Sequence, residues 1–269
     1  MRKLIWAAAG VVAMAAAGCC SCATNAPKEI PETGFVSIFN GKDLTGWTGA
    51  TAMYGVDPKE PGILQCFPER RSQQPDGLFE LMTEKTYRNF ILRFDFVMPP
   101  NGNNGLGIRM LNAKDDAAYH AMCELQLLDD GGSEYYDPKG DPRNLLDPFQ
   151  YTGSVYGVVP CRRDNVGRKL AGRERDFTGG GSYVHRPGMW NSEEVRVVGE
   201  EIEVRLNGEL ITKADLSQFV GNGDTLDHQQ HPGLHNERGS IGWLGHGHNV
   251  KWRNIRILEL PDDAKMSDL

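Results

Sequence analysis

The body of the sequence has no Cys-x-x-Cys pair, no Gly-x-Ser-x-Gly elbow, no phosphate loop and no dinucleotide fingerprint. Those absences remove the usual signatures of zinc ribbons, α/β-hydrolases, nucleotide hydrolases and nicotinamide enzymes. Basic residues are also short, with 29 Lys and Arg against 36 Asp and Glu and a formal charge of −7. An acidic chain argues against nucleic acid as a partner. Long apolar runs are missing after the N-terminus, and strongly helical windows are scarce. Cysteine is sparse too: Cys66, Cys123 and Cys161 are an odd number in the body, so at least one stays free unless Cys20 or Cys22 pairs with it.

The N-terminus has the form of an export signal. Arg2 and Lys3 precede an apolar stretch at 4–17, which is too short to span a bilayer comfortably. Ala16, Ala17 and Gly18 then lead into Cys19, a pattern similar to the bacterial lipobox, in which that cysteine is lipidated and becomes the first mature residue. The expected division is a lipoprotein signal peptide at 1–18, a flexible tether at 19–33, one domain at 34–260 and a short tail at 261–269. The absence of acidic residues just after Cys19 favours an exported protein, lipid-anchored in the outer membrane and facing the periplasm.

Strand patterns dominate the body. Phe90, Leu92, Phe94 and Phe96 alternate with Arg93 and Asp95, as in a half-buried antiparallel strand. Ile202, Val204 and Leu206 alternate with polar residues and run into Asn207-Gly208, the signature of a type I′ hairpin turn. Val250 and Trp252 keep one parity while Ile255 and Ile257 keep the other, which predicts a bulge near Arg253-Asn254. The one helical turn expected lies at 214–219. An all-β sandwich of two antiparallel sheets with one concave face fits these patterns. Two long loops interrupt it, one rich in Asp, Gly and Pro between Asp130 and Tyr151, and one strongly basic from Arg162 to Gly181.

The chemistry concentrates at Cys123-Glu124-Leu125-Gln126-Leu127-Leu128-Asp129. On a strand, Glu124 and Gln126 share one face while Cys123, Leu125 and Leu127 face the core. A buried acid needs a partner or a purpose. Arg109 has the parity of Gly105 and Gly107, which leave an open floor, and is the natural ion-pair partner for Glu124. His246 and His248 are expected on one strand face, and His228, His231 and His235 in a solvated loop. Tyr156, Trp190 and Asn191 supply rings and an amide suited to sugars. No cofactor is required by any motif; a divalent cation is possible, with no carboxylate identified to complete a His-x-His pair.

The stretch from Phe35 to Trp47, Phe-Val-Ser-Ile-Phe-Asn-Gly-Lys-Asp-Leu-Thr-Gly-Trp, resembles the opening of the 3-keto-disaccharide hydrolase domain family. Further matches follow in the same order: Asn104-Gly105 with Arg109, Glu124-x-Gln126-x-x-Asp129, Gly153-Ser154-Val155-Tyr156-Gly157, Trp190-Asn191, Asn207-Gly208, Gly239-Ser240-Ile241-Gly242, His246-Gly247 and Arg253-Asn254-Ile255. Trp243-Leu244 stands where the family has Leu-Gln. The resemblance implies a concanavalin A-like jelly roll of the lectin and glucanase type, acting on 3-keto-glycosides. It implies a site with Glu124 as base, Arg109 or His246 as enolate stabiliser, and Asp129 as acid, sugar contact or ion ligand. Asn104, Gln126, Tyr156, Trp190 and Asn191 are then the expected sugar contacts. A direct two-carboxylate glycosidase using Glu124 and Asp129, and a lectin-like binding module, are the alternatives.

Overall fold

The computed structural model describes residues 29–74, 79–111, 121–132, 146–162, 184 and 187–269. The leader, Cys19 and most of the two long loops lie outside the described residues. Glu32–Leu269 forms one compact unit built from two antiparallel sheets. Eight strands make the larger sheet: β1 (Val36–Ser37), β3 (Tyr54–Val56), β4 (Leu64–Cys66), β6 (Phe90–Val97), β9 (Asn191–Val198), β10 (Glu201–Leu206), β11 (Glu209–Asp215) and β13 (Lys251–Glu259). The smaller sheet holds β2 (Trp47–Gly49), β5 (Glu80–Thr83), β7 (Asn103–Met110), β8 (Cys123–Leu128) and β12 (Ser240–Leu244), in the order β2-β5-β12-β7-β8. Sequence neighbours such as β5 and β6 lie in different sheets, which is the crossing pattern of a jelly roll.

The alternating residues behave as their chemistry requires. Phe90, Leu92, Phe94 and Phe96 of β6 enter the core, where Trp243 stacks on Trp252 with centroids 4.8 Å apart and meets Phe94 edge-on. Burying such rings supplies most of the driving force for closing the sandwich. Asn207 and Gly208 both take positive φ between β10 and β11, as a type I′ turn demands. The bulge in β13 falls between Arg253 and Arg256, with Asn254 at φ +54°. Asp215 caps a short 3₁₀ turn at Leu216–Gln218, so Ala214 belongs to β11 rather than to the expected turn.

Glu193 is the anomaly of the core. It sits on the inward face of β9, and both carboxylate oxygens lack a hydrogen-bond partner among the described residues. Burial pushes its pKa up to about 8, so the folded protein holds a proton that the unfolded chain, with an ordinary value of 4.5, has released. The stability that neutral Glu193 contributes is therefore complete below about pH 4.5 and is lost as pH rises through about 8. Glu193→Gln is expected to raise the melting temperature near pH 9 and to leave it almost unchanged near pH 5, a difference of a few kcal/mol readable by thermal denaturation at both pH values. An equal effect at the two pH values contradicts the assignment.

Candidate functional site

A cavity of about 660 Å³ opens on the face of the smaller sheet turned away from the core. β8 crosses its floor. Met122, Glu124, Gln126 and Leu128 line the cavity at every second position, whereas Cys123, Leu125 and Leu127 pack inward. Two residues of strand rise place the Glu124 and Gln126 backbone positions about 7 Å apart. Gln126 uses its Oε1 to accept from the Leu127 N–H at 3.0 Å, and its NH₂ has no partner among the described residues.

Glu124 has no ion pair or side-chain hydrogen bond among the described residues. Its Oε1 and the Leu244 Cδ1 both lie over Gly105 of β7, so close that a Cβ on that glycine would be 2.4 Å from the first and 2.8 Å from the second. Leu244, part of a cluster with Met82, Met110 and Met122, thus gives the carboxylate an apolar neighbour. Burial pushes the Glu124 pKa up to about 7, which suits a group that must both take and return a proton near neutrality.

Tyr156 joins this floor through a backbone hydrogen bond, its N–H donating to the Glu124 carbonyl at 2.9 Å. Its ring meets Phe149 edge-on, and its hydroxyl receives the Gln150 amide at 3.3 Å, leaving the phenolic hydrogen for the cavity. His246 stands exposed at the rim, with its pKa held below the ordinary value by partial desolvation and then by His248. The two imidazoles are not on a strand: β12 ends at Leu244 and the chain turns at Gly247 with φ +84°. His248 instead accepts the Asn103 N–H at 3.3 Å. No cluster of three or more metal-ligating side chains occurs among the described residues.

The other expected site residues are placed elsewhere. Arg109 does not face Glu124. The β7–β12 register slips between Ser240 and Gly242, which inserts one extra residue in β7, and Arg109 takes φ +58° at that bulge. Every side chain beyond it changes face. Met110 takes the place on the outer face, and the Arg109 guanidinium, 2% exposed, donates to the carbonyls of Leu234 and Gly199 with Glu200 3.6 Å away. Asn104 likewise points inward beside Tyr54, and its neighbour Asn103 lines the cavity instead. Asp129 is buried and accepts the Asn101 N–H at 3.0 Å, which fastens the turn before β7. Trp190 lies under the Arg253 guanidinium of the larger sheet, and Asn191 accepts from Asn207 at 2.9 Å to brace the β10–β11 hairpin.

In exchange the structure brings in His231, expected in a solvated loop, together with Asp227, which sequence reasoning did not single out. Asp227 and His231 line the cavity, with the His231 Nε2 3.0 and 3.2 Å from the two Asp227 oxygens. Their i, i+4 spacing was the one available signal. Gly157 admits them: a Cβ there would fall 2.1 Å from Asp227 Oδ2 and 2.8 Å from His231 Cε1.

A concave, mostly apolar cavity with a few convergent polar groups, among them a carboxylate with no ion pair among the described residues, has the form of a small-molecule site. The chain belongs to the 3-keto-alpha-glucoside-1,2-lyase-like domain family, whose profile matches residues 34–258, and this places it among carbohydrate-active proteins. It is 26% identical over 253 residues to the 3-keto-disaccharide hydrolase of Bacteroides thetaiotaomicron, covering 83% of this chain and 78% of that one. Two crystal structures from Parabacteroides distasonis, named as candidate glycosyl hydrolases, share the fold. One superposes with a TM-score of 0.64 at 22% identity over 85% of this chain and 95% of its own. The other has a TM-score of 0.60 at 23% identity over 84% and 99%.

Proposed function

We propose that this domain is a hydrolase of 3-keto-glycosides, working by removal of the C2 proton, elimination at C1 and addition of water. The observation that carries the proposal is Glu124, a desolvated carboxylate without a cation among the described residues, on the floor of a sugar-sized cavity. A ketone at C3 acidifies the C2 proton, so a single carboxylate base suffices to form the enolate, which then expels the C1 substituent. Tyr156 and His246 line the cavity and are the donors assigned to the enolate oxygen; Arg109, which does not line it, is committed to the carbonyls of Leu234 and Gly199. Gln126 and Asn103 supply hydrogen bonds to hydroxyls, and Met122, Leu128 and Pro232 supply apolar surface. Asp129 lies outside the cavity, and the second carboxylate lining it, Asp227, is engaged by His231, which supports this route over a two-carboxylate glycosidase built on Glu124 and Asp129. The export-like leader and the lipobox-like Cys19 support a reaction outside the cytoplasm, on a lipid-anchored protein.

The test is to incubate the domain with a 3-keto-glucoside and with its unoxidised parent. Cleavage of the keto sugar alone is expected; equal cleavage of both contradicts the proposal, and binding of sugars without product favours a lectin. Running each arm with and without a chelator reports whether a divalent cation takes part. A separate expectation concerns the floor: Gly105→Ala drives a methyl into the Glu124 carboxylate and Leu244. A displacement of about 1 Å at a reacting group costs on the order of 10²-fold in rate. The side chain can swing away without unfolding the sheet, so kcat is expected to fall with little change in melting temperature. Unchanged kcat contradicts the placement of Glu124.

A further inference from the structure

We infer that His231, held by Asp227, is the proton donor to the leaving oxygen and afterwards the base that activates water. The inference rests on the 3-keto-glycoside reading above, which gives Glu124 the C2 proton but leaves the C1 oxygen without an acid. Two backbone hydrogen bonds tie the pair to Glu124. Tyr156 N–H donates to the Glu124 carbonyl at 2.9 Å, and Asp227 N–H donates to the carbonyl of the adjoining Gly157 at 3.1 Å. The Asp227 carboxylate is itself fixed, with Oδ1 accepting from the Thr225 hydroxyl at 2.9 Å and from the Gln229 N–H at 3.0 Å. His231 is fixed from its backbone as well, its N–H donating to the Gly221 carbonyl at 2.8 Å. Both side chains are mostly buried.

An imidazole whose Nε2–H points at a carboxylate has a defined tautomer and presents Nδ1 to its surroundings, which is how such pairs transfer protons in other hydrolases. The balance is complete with these groups. Glu124 carboxylate takes the C2 proton, and the electron pair of that bond becomes the enolate. Collapse of the enolate forms the C1–C2 double bond and breaks the C1–O bond, while the Nδ1–H of imidazolium His231 protonates the departing oxygen. Water then adds at C1, giving its proton to His231, and Glu124 returns a proton to C2. Both groups end as they began. Asp227 acts through His231 and is a positioning residue.

The experiment compares two 3-keto-glucosides in the full chain and in His231→Gln and Asp227→Asn, one with a methyl aglycone and one with a 4-nitrophenyl aglycone. A methoxide leaving group needs a proton, whereas nitrophenolate leaves without one. His231→Gln is expected to lower kcat/KM for the methyl substrate by about 10²- to 10³-fold and for the nitrophenyl substrate by less than about tenfold. Asp227→Asn should show the same selectivity to a smaller degree. Equal losses on both aglycones, or no loss on the methyl substrate, overturn the assignment. Should the unaltered chain cleave neither 3-keto-glucoside, the parent reading fails instead, and that outcome is distinct from a selective or uniform loss in the variants.

Discussion

Glu124→Gln is expected to lower turnover of a 3-keto-glycoside by about 10³-fold while the fold is kept. The amide is close to isosteric with the acid, and no ion pair or side-chain hydrogen bond to the carboxylate is lost among the described residues. It is also uncharged, so it removes the cost of ionising a desolvated group. The Glu124 pKa is raised to about 7, which means the proton is bound more tightly in the folded chain than in the unfolded one. Its contribution to stability is present below the ordinary value of 4.5 and lost as pH rises through about 7. The variant is therefore expected to melt at the same temperature as the parent in acid and at a higher one above pH 7. Activity of the parent has the opposite dependence, because the base must be ionised: kcat/KM should climb as pH passes through about 7. Near-parental activity in the variant contradicts the role given to this residue.

Arg109→Met should destabilise the protein by about 1–3 kcal/mol, measured by urea denaturation, although Arg109 does not line the cavity. The guanidinium satisfies the carbonyls of Leu234 and Gly199, so its loss strands the buried Leu234 acceptor, while Gly199 is exposed and Glu200, partly exposed, keeps His235. One of those carbonyls belongs to Leu234, and the Asn236 amide donates back to the Arg109 carbonyl at 3.1 Å. The segment that carries Asp227 and His231 is thus pinned from Arg109. Arg109→Lys is expected to recover little, because one ammonium cannot reproduce the fork that spans the carbonyls of Leu234 and Gly199. A loss under about 1 kcal/mol would contradict a structural role of this size.

The fold and the floor of the site were largely legible because they depend on strand parity. Phe90 to Phe96 and Ile202 to Leu206 alternate cleanly, and Glu124 and Gln126 lie on the face that their spacing assigns. Parity fails where a strand gains a residue. A single bulge at Arg109 turned that side chain from the outer face of β7 to the inner one, and nothing in Gly-Ile-Arg-Met announces it. The inward turn of Asn104 follows from the same parity rule, since it neighbours Gly105 on the opposite face. Trp190 and Asn191 have the right chemistry for sugars but belong to the other sheet, a fact set by topology rather than by residue type. Asp227 and His231 reach Glu124 only through Gly157, a contact between segments about seventy residues apart, so local pattern could not reveal it.

Proton removal at C2 is the step on which the account depends, and it leaves an isotopic record. A 3-keto-glucoside cleaved in D₂O should release a keto sugar carrying one deuterium at C2, read by NMR or mass spectrometry at times short enough to precede spontaneous exchange. A product that retains its C2 proton, with no rate difference between C2–H and C2–D substrates, would show that the C1 bond breaks directly and would remove Glu124 from the role of base.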